Sequence, residues 1–358
     1  MTLPVLHLGK LWRFRFIFGT IERISGSESG RIAVKVINHI GELMKVFKVA
    51  IVQSTHAVTK KNLSKKSAKS IKPKKGLKSP FRYAGGKSWF VKIASKWIAN
   101  RPVRPKLLVE PFAGGANISL SAVHANLVDK AEFSELDRDV AAAWKSILNG
   151  HAVWLAEKVR SFPIGRRNVI QHLEQKPATL HERAFHCLLR NRTARGGVIA
   201  DGAGLIRKGE DGMGVRSRWY PKTISGRIAA ISAFKDKLNF FQCDGFKLIQ
   251  KHQHKKTALF FVDPPYTKAA RRLYRHWDID HERLFKVLQQ VKGDVLMTYD
   301  DTREVRCWAR KYGFRVKTIA MRTTHHTTKR ELMISKCFGW LKTPPKPKCR
   351  ASTPSGSN

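Results

Sequence analysis

The chain has 358 residues, of which 42% are hydrophobic, enough for a buried core in one large domain or two ordinary ones. Lysine and arginine total 69 against 26 acidic residues, and this net charge of +43 favours a polyanionic partner such as nucleic acid. The five scattered cysteines form no CxxC pair and no apolar run reaches the ~18 residues of a membrane span, so we expect no zinc site, disulfide framework or membrane segment.

Positive charge is not confined to the ends of the chain. Residues 1–78 carry 17 basic and 3 acidic side chains, whereas residues 79–340 carry 48 and 23. The apolar stretch near the N-terminus is interrupted by Arg13 and Arg15, which makes it a poor signal peptide. We therefore expect a soluble, intracellular protein whose main body is itself basic.

The two ends of the chain differ in composition from its middle. Residues 1–50 contain a strand-like segment at Arg31–Ile37 and are assigned to an uncharacterised N-terminal extension. Residues 51–78 are assigned to a basic linker, and residues 342–358 to a tail rich in Pro, Lys and Ser. The linker and the tail cannot bury much apolar surface, so both are predicted to be disordered. The linker could contact phosphates non-specifically or merely solubilise the chain.

Between these ends, strands alternate with helices. Strands are predicted over residues 106–110, 130–134, 257–262, 293–298 and 331–338, and helices over 118–126, 138–148 and 281–291. This alternation predicts an α/β fold with a mostly parallel, doubly wound sheet, formed by residues 79–149 and 237–341. Residues 150–236 interrupt the pattern, being helical at first and then rich in Gly and Arg. We expect them to form an insertion at the carboxyl edge of the sheet, where open α/β folds bind ligands.

The most informative motif is Asp263-Pro-Pro-Tyr266, which directly follows an apolar strand. Two prolines cannot continue a strand ladder, so the chain must leave the sheet at its carboxyl edge. An acidic side chain and a rigid carbonyl, here Pro264, can together accept both hydrogens of an exocyclic NH2 group. The ring of Tyr266 offers a flat surface for a flipped base. Asp263, Pro264, Pro265 and Tyr266 are therefore the candidate catalytic residues.

Two further motifs suggest a nucleotide-like ligand. Glu110-Pro-Phe-Ala-Gly-Gly115 places glycines between a strand and a helix, where the backbone can approach a ligand at the helix N-terminus. Glu135, about 20 residues later at the end of the next strand, suits a ribose hydroxyl pair. Phe81-Arg-Tyr-Ala-Gly-Gly-Lys87 forms a loop that can pack against the carboxylate or ring of a ligand. The Glu110–Gly115 turn has neither the spacing of a dinucleotide fingerprint nor the lysine of a P-loop.

Taken in this order, FRYAGGK, EPFAGG and DPPY resemble the Dam-type family of DNA adenine methyltransferases. The resemblance implies a Rossmann-like methyltransferase sheet with an inserted, mainly helical target-recognition region, and S-adenosyl-L-methionine as methyl donor without a metal. The cofactor-binding residues that it implies are Tyr83, Lys87, Phe112, Gly114, Gly115, Glu135, Asp244 and Asp263. Tyr83 replaces a more frequent tryptophan, and Glu135 a more frequent aspartate.

The inserted region agrees only partly with this family. Arg190-Asn-Arg-Thr193 resembles the start of the target-recognition segment, but the Asn-Gly-Leu-Tyr-Arg stretch expected after it is absent. Recognition of a GATC-type site is therefore not carried over. Candidate DNA-binding residues, for phosphates or guanines, are Arg190, Arg192, Arg195, Arg207, Arg216 and Arg218.

The resemblance implies a site-specific enzyme that methylates N6 of a flipped adenine in double-stranded DNA. We expect a monomer in the cytoplasm, associated with the nucleoid and encoded by a bacterium or phage, with a cognate restriction enzyme as a further partner to consider. Two alternatives stay open: an amino-methyltransferase acting on cytosine, RNA or protein, and an inactive basic DNA-binding protein with this fold.

Overall fold

The computed structural model describes residues 14–16, 19–26, 31–37, 43–50, 76–82, 86–200, 202–267, 275–276, 278–322 and 328–341. Predictions for Tyr83, for residues 51–75 of the linker and for the 342–358 tail lie outside these ranges. The chain divides into two compact units, Met1–Lys72 and Pro73–Asn358. In the described parts, no helix is both long enough and apolar enough to cross a membrane.

The described part of the first unit is an antiparallel meander. Its strands are β1 (Phe14–Phe16), β2 (Gly19–Gly26), β3 (Arg31–Ile37) and β4 (Leu43–Ala50), each paired with the next in sequence. Strand β3 has the predicted bounds. Its alternation of isoleucine and valine with other residues is typical of a strand.

A seven-stranded sheet forms the centre of the second unit. Its strands are β5 (Leu107–Glu110), β6 (Lys130–Ser134), β7 (Leu238–Phe241), β8 (Ala258–Val262), β9 (Asp294–Asp300), β10 (Arg315–Arg322) and β11 (Thr328–Ser335). The strand order is β10-β11-β9-β8-β5-β6-β7. Strands β5 to β9 pair in parallel, and β11 runs antiparallel to β9 and β10. The predicted doubly wound α/β fold is confirmed, and its last strand belongs to a hairpin that the sequence analysis did not identify.

Helices cover the sheet and form the insertion. Those of the sheet domain are α1 (Val91–Ala99), α2 (Asn117–His124), α3 (Arg138–Leu148), α8 (Gly245–His252), α9 (His281–Gln290) and α10 (Arg303–Lys311). The inserted helices are α4 (Ala152–Ser161), α5 (Arg166–Glu174), α6 (Leu180–Thr193) and α7 (Pro221–Ser232). Short 3-10 turns between α6 and α7 make up the Gly- and Arg-rich part. Helix α3 has the predicted bounds, and the insertion is mainly helical as predicted.

The core lies on both faces of the sheet. All five residues of β8 are buried. Leu259 and Phe261 belong to one apolar cluster, whereas Phe260 and Val262 belong to the other. Because successive side chains of a strand point to opposite faces, helices must cover both sides, as in doubly wound folds.

The strand order reverses at the centre of the sheet. From the adjacent strands β5 and β8, the chain proceeds to β6 on one side and to β9 on the other. Such a switch point opens a crevice at the carboxyl ends of the strands, where ligands bind. The EPFAGG turn follows β5 and the DPPY turn follows β8, so both motifs lie at this crevice.

Candidate active site

A cavity of about 460 Å³ lies at the carboxyl ends of the central strands, within the usual range for small-molecule sites. Its wall contains residues from all three motifs, namely Lys87, Phe112, Gly114, Gly115, Asp263, Pro264 and Pro265. The predicted cofactor residues Glu135 and Asp244 also line it. Residues so distant in sequence meet here because parallel strands bring their following loops to one edge of the sheet.

The glycine-rich turn has a fixed conformation. Gly114 has φ of +47°, a left-handed value that favours glycine. Its N–H donates to Glu135 Oε2 at 3.2 Å, and its carbonyl accepts from Trp144 Nε1 at 2.9 Å. A Cβ on Gly115 would lie 3.1 Å from Ser79 Oγ. The turn therefore presents bare backbone to the cavity just before the N-terminus of α2.

Glu135 is held by the backbone of two loops. Besides the Gly114 bond, its Oε1 accepts from the N–H groups of Leu136 at 2.8 Å and Asp137 at 3.1 Å. Burial raises the pKa of the Glu135 carboxyl above its ordinary value. The predicted ribose-binding acid is therefore oriented before any ligand arrives.

Asp244 and Phe112 form another part of the cavity wall. Asp244 caps α8 by accepting from the Phe246 N–H at 3.0 Å. A Cβ on Gly245 would lie 2.7 Å from the ring of Phe112, so glycine is needed for this close packing. The aromatic ring and the acidic cap thus lie side by side on the cavity wall.

Glu110 is an acidic group of the cavity to which the sequence analysis gave no role. It is buried at the end of β5, and its Oε2 accepts from the Ser119 N–H at 2.8 Å. Burial is the main cause that raises its pKa from 4.5 to about 7, and the negative charge of Asp263 adds to the effect. Because the folded chain prefers the protonated form, Glu110 lowers the free energy of unfolding as pH rises from 4.5 to about 7.

We expect Glu110→Gln to stabilise the ligand-free protein at pH 8. The amide oxygen can still accept from Ser119, and the cost of a buried charge disappears. The gain over the wild type should be on the order of 3 kcal/mol at pH 8 and much smaller near pH 5. Urea unfolding at both pH values measures it, and a gain independent of pH would contradict the assignment.

Asp263 lies in a polar cluster at the cavity wall. Its Oδ1 accepts both from Lys87 Nζ at 2.8 Å and from Thr298 Oγ1 at 2.7 Å. Lys87 is 4% exposed and also lies 3.9 Å from Glu331 Oε2. Within the described residues, Oδ2 of Asp263 has no hydrogen-bond partner, so one carboxylate oxygen remains for a ligand while the other is fixed.

Tyr266 lies beside the cavity and is not among the described residues of its wall. Its ring stacks on Tyr299 at 6.1 Å between centroids, and its hydroxyl donates to Glu331 Oε2 at 3.0 Å. Burial raises its pKa well above the ordinary value. Its hydroxyl thus joins the Lys87–Glu331 cluster, and the use of its ring as a surface for a base stays a prediction.

The six predicted DNA-binding arginines differ in exposure. Arg195, Arg207 and Arg216 are exposed, Arg190 is half-buried, and Arg218 forms an ion pair with Glu210. For Arg192 the prediction is wrong. It is 4% exposed, burial lowers its pKa to about 9, and its Nε donates to the Pro80 carbonyl at 2.9 Å. Its location on the inner side of α6 gives it a structural role.

Sequence reasoning missed several contributors to the site. The sequence analysis assigned no role to Thr298 or Glu331, which contact Asp263 and Tyr266. Residues 197–200 of the insertion line the cavity, as does Arg275, which bonds Asp137 at 3.3 Å. The only available signal was position: Thr298 lies within β9, next to the strand that bears the catalytic motif.

Comparisons with known proteins found one family match and several similar solved structures. Residues 212–324 match the sequence model of the D12 class N6 adenine-specific DNA methyltransferase family. A search of curated proteins finds no match to this sequence. Similar solved structures include a putative tRNA (m1A22) methyltransferase of Streptococcus pneumoniae bound to S-adenosyl-L-methionine, with 8% identity, 69% of this chain and 72% of that chain covered, and a TM-score of 0.34. Another is the M1A22 tRNA methyltransferase of B. subtilis, with 9% identity, 70% and 66% covered, and a TM-score of 0.32.

Similarity at this level carries no argument about the acceptor. The family match is more specific, because residues 212–324 include Asp263 to Tyr266 and the strands β8 and β9. It agrees with the resemblance of the three motifs, two of which lie outside the matched segment. The chain is therefore an S-adenosylmethionine-dependent methyltransferase, and its residues 212–324 match the D12-class family model.

Proposed function

We propose that this enzyme transfers a methyl group from S-adenosylmethionine to the N6 amino nitrogen of an adenine flipped out of double-stranded DNA. The observation that carries this proposal is Asp263, a carboxylate with one oxygen held and one free, on a rigid Pro-Pro turn in the cavity that contains the glycine-rich turn. The family match over residues 212–324 supports adenine as the acceptor.

The cavity has the properties that the donor requires. Its volume suits a ligand of nucleoside size, and Glu135 offers an oriented carboxylate to ribose hydroxyls. The turn at Gly114 allows close approach of backbone, while Phe112 provides an apolar face and Asp244 a polar one. S-adenosylmethionine supplies, when bound, a methyl group activated by its sulfonium.

We expect Glu135→Ala to weaken binding of S-adenosylmethionine by about 10- to 100-fold, because a charged hydrogen-bond acceptor is lost and the Gly114 turn loosens. Isothermal titration without DNA measures the effect. Glu174→Ala, which removes an exposed acid on α5, is the control and should change the affinity less than about twofold. Equal affinities for Glu135→Ala and the wild type would remove Glu135 from the cofactor site.

The chain's contribution to chemistry is mainly positioning and electrostatics. The lone pair of an adenine amino group is delocalised into the ring, so it must be localised on nitrogen. Oδ2 of Asp263 can accept one amino hydrogen and the Pro264 carbonyl the other, which increases electron density on nitrogen. Lys87 and Thr298 keep the carboxylate oriented, and its negative charge stabilises the positive charge that develops on the amino nitrogen. The amino proton leaves through Oδ2 of Asp263.

Duplex DNA hides this amino group, so the base must be flipped into the cavity. Residues 79–340 carry 48 basic and 23 acidic side chains, which favours contact with phosphates. The exposed Arg195, Arg207 and Arg216 belong to the insertion, whose residues 197–200 line the cavity. The insertion is therefore the proposed DNA-binding region.

We expect DNA affinity to fall at least about 100-fold between 50 and 200 mM salt, because neutralised phosphates release counterions. Arg207→Ala should reduce the slope of log affinity against log salt by about one. Arg104→Ala is the control, since Arg104 is 51% exposed and precedes β5 at the opposite end of the sheet. Fluorescence anisotropy at several salt concentrations provides the slopes. A DNA affinity that does not depend on salt would contradict the proposed phosphate contacts.

Sequencing of single DNA molecules from cells that express the protein tests the proposed function in vivo. We expect modified adenines in one fixed sequence context. They should be absent from cells that express Asp263→Ala. Modified cytosines, or unmodified DNA beside methylated RNA, would point to another acceptor.

A further inference from the structure

One buried side chain, that of Asn191, connects the FRYAGGK motif to the inserted region. Asn191, in α6, is completely buried. Its Oδ1 accepts from the Arg82 N–H at 2.7 Å, and its Nδ2 donates to the Arg82 carbonyl at 2.9 Å and the Gly197 carbonyl at 2.7 Å. One amide thus pairs with both polar backbone groups of Arg82, as a neighbouring strand would, and also holds Gly197.

Both segments that Asn191 joins continue into the cavity. Arg82 precedes the rest of the FRYAGGK motif, of which Gly86 and Lys87 line the wall. Gly197 begins the inserted stretch 197–200 on the same wall. Two other inserted side chains hold the same segment, because Arg192 Nε donates to the Pro80 carbonyl and Arg227 Nη1 to the Ser79 carbonyl, each at 2.9 Å.

The backbone packing at this junction is close. Gly197 has φ of +76°, and a Cβ added to it would overlap the Arg82 carbonyl oxygen. Gly196 has a similar φ of +65°, but its added Cβ would meet only Val198 at an ordinary distance of 3.6 Å. An alanine would therefore be strained by its backbone conformation at both positions. Only at Gly197 would it also collide with Arg82.

We propose that Asn191 is a positioning residue. Through it, the insertion holds the segment of the FRYAGGK motif that carries Gly86 and Lys87 in the position that S-adenosylmethionine requires. The inserted region, assigned above to DNA, is in this view also part of the cofactor site. This inference rests on the proposed function for the identity of the ligand. It does not depend on the acceptor, because Asn191 acts on the loop that carries Gly86 and Lys87.

Isothermal titration of the full chain with S-adenosylmethionine, without DNA, tests this role. We expect Asn191→Ala to weaken binding by at least about tenfold, since the three hydrogen bonds of a buried amide are lost. Asn168→Ala is the matched control, because the Asn168 amide is exposed, lies in the same insertion and donates to the Pro163 carbonyl. It should change the affinity less than about twofold. Circular dichroism melts establish that the variants fold.

The second pair of variants tests the junction from the glycine side. Gly197→Ala should weaken cofactor binding like Asn191→Ala, whereas Gly196→Ala should not. Wild-type affinity in a folded Asn191→Ala, or equal losses for Gly196→Ala and Gly197→Ala, would overturn the inference. If cofactor binding depends on Asn191 as expected but the protein methylates no adenine, only the proposed acceptor is wrong. If the wild type does not bind S-adenosylmethionine, the proposed methyl donor is wrong and the variants cannot support the inference.

Discussion

Replacing Asp263 by alanine should reduce the rate of methyl transfer by at least about 10³-fold, the effect of removing one preorganised group at a developing charge. Without the carboxylate, the acceptor amino group loses the partner that localises its lone pair. We expect DNA affinity to change less than about threefold, since phosphate contacts dominate it. Single-turnover kinetics and anisotropy measure the two quantities separately.

The fold should tolerate this change, because Lys87 keeps a second carboxylate nearby. Its Nζ lies 3.9 Å from Glu331 Oε2. Asp301→Asn is the control, since Asp301 forms an ion pair with Arg306 on the surface and does not line the cavity. Parallel losses of DNA binding and turnover in Asp263→Ala would mean that Asp263 has a structural role only.

Lys87→Met should lower the methyl-transfer rate by about 10²-fold, because the Asp263 carboxylate loses the cation that orients it and small misplacements are costly. Two acidic groups, Asp263 and Glu331, would remain without their shared partner. Breaking such a buried pair lowers the free energy of unfolding by about 3 kcal/mol. Stopped-flow kinetics and urea unfolding measure the two losses.

This variant also separates two roles of Lys87. The motif predicted a cofactor contact, whereas the structure places its ammonium 2.8 Å from Asp263. If it serves Asp263, the cofactor dissociation constant should change less than about tenfold while the rate falls. Lys92→Met, an exposed position in α1, provides the control. A large loss of cofactor affinity with an unchanged rate would restore the motif-based role.

The order of elements around the sheet could be predicted because local signals agreed with each other. Strand β6 and helix α3 have their predicted bounds, since apolar and polar residues alternate in the strand and Asp137 caps the helix. Helix α10 and strand β10 were not predicted. Both are rich in charged residues, and β10 is an edge strand, so neither has a continuous apolar run.

Residues of the candidate site could be predicted from the sequence only where they belong to, or are spaced regularly from, a recognisable motif. The glycine-rich turn and the Asp263 turn meet in one cavity because both follow central parallel strands. The roles of Thr298, Glu331 and Asn191 arise from contacts between residues 35 to 109 positions apart, which spacing along the chain cannot reveal. Arg192 shows the same limit, because the buried Arg192 and the half-buried Arg190 of one helix look alike in sequence.

The proposed acceptor is tested most directly in vitro with methyl-labelled S-adenosylmethionine. Duplex DNA is incubated with the enzyme and the labelled donor, digested to nucleosides and analysed by mass spectrometry. We predict the label in N6-methyldeoxyadenosine, with none when Asp263→Ala replaces the wild type. Label in deoxycytidine, or label found only when RNA or protein replaces the DNA, would contradict methylation of adenine.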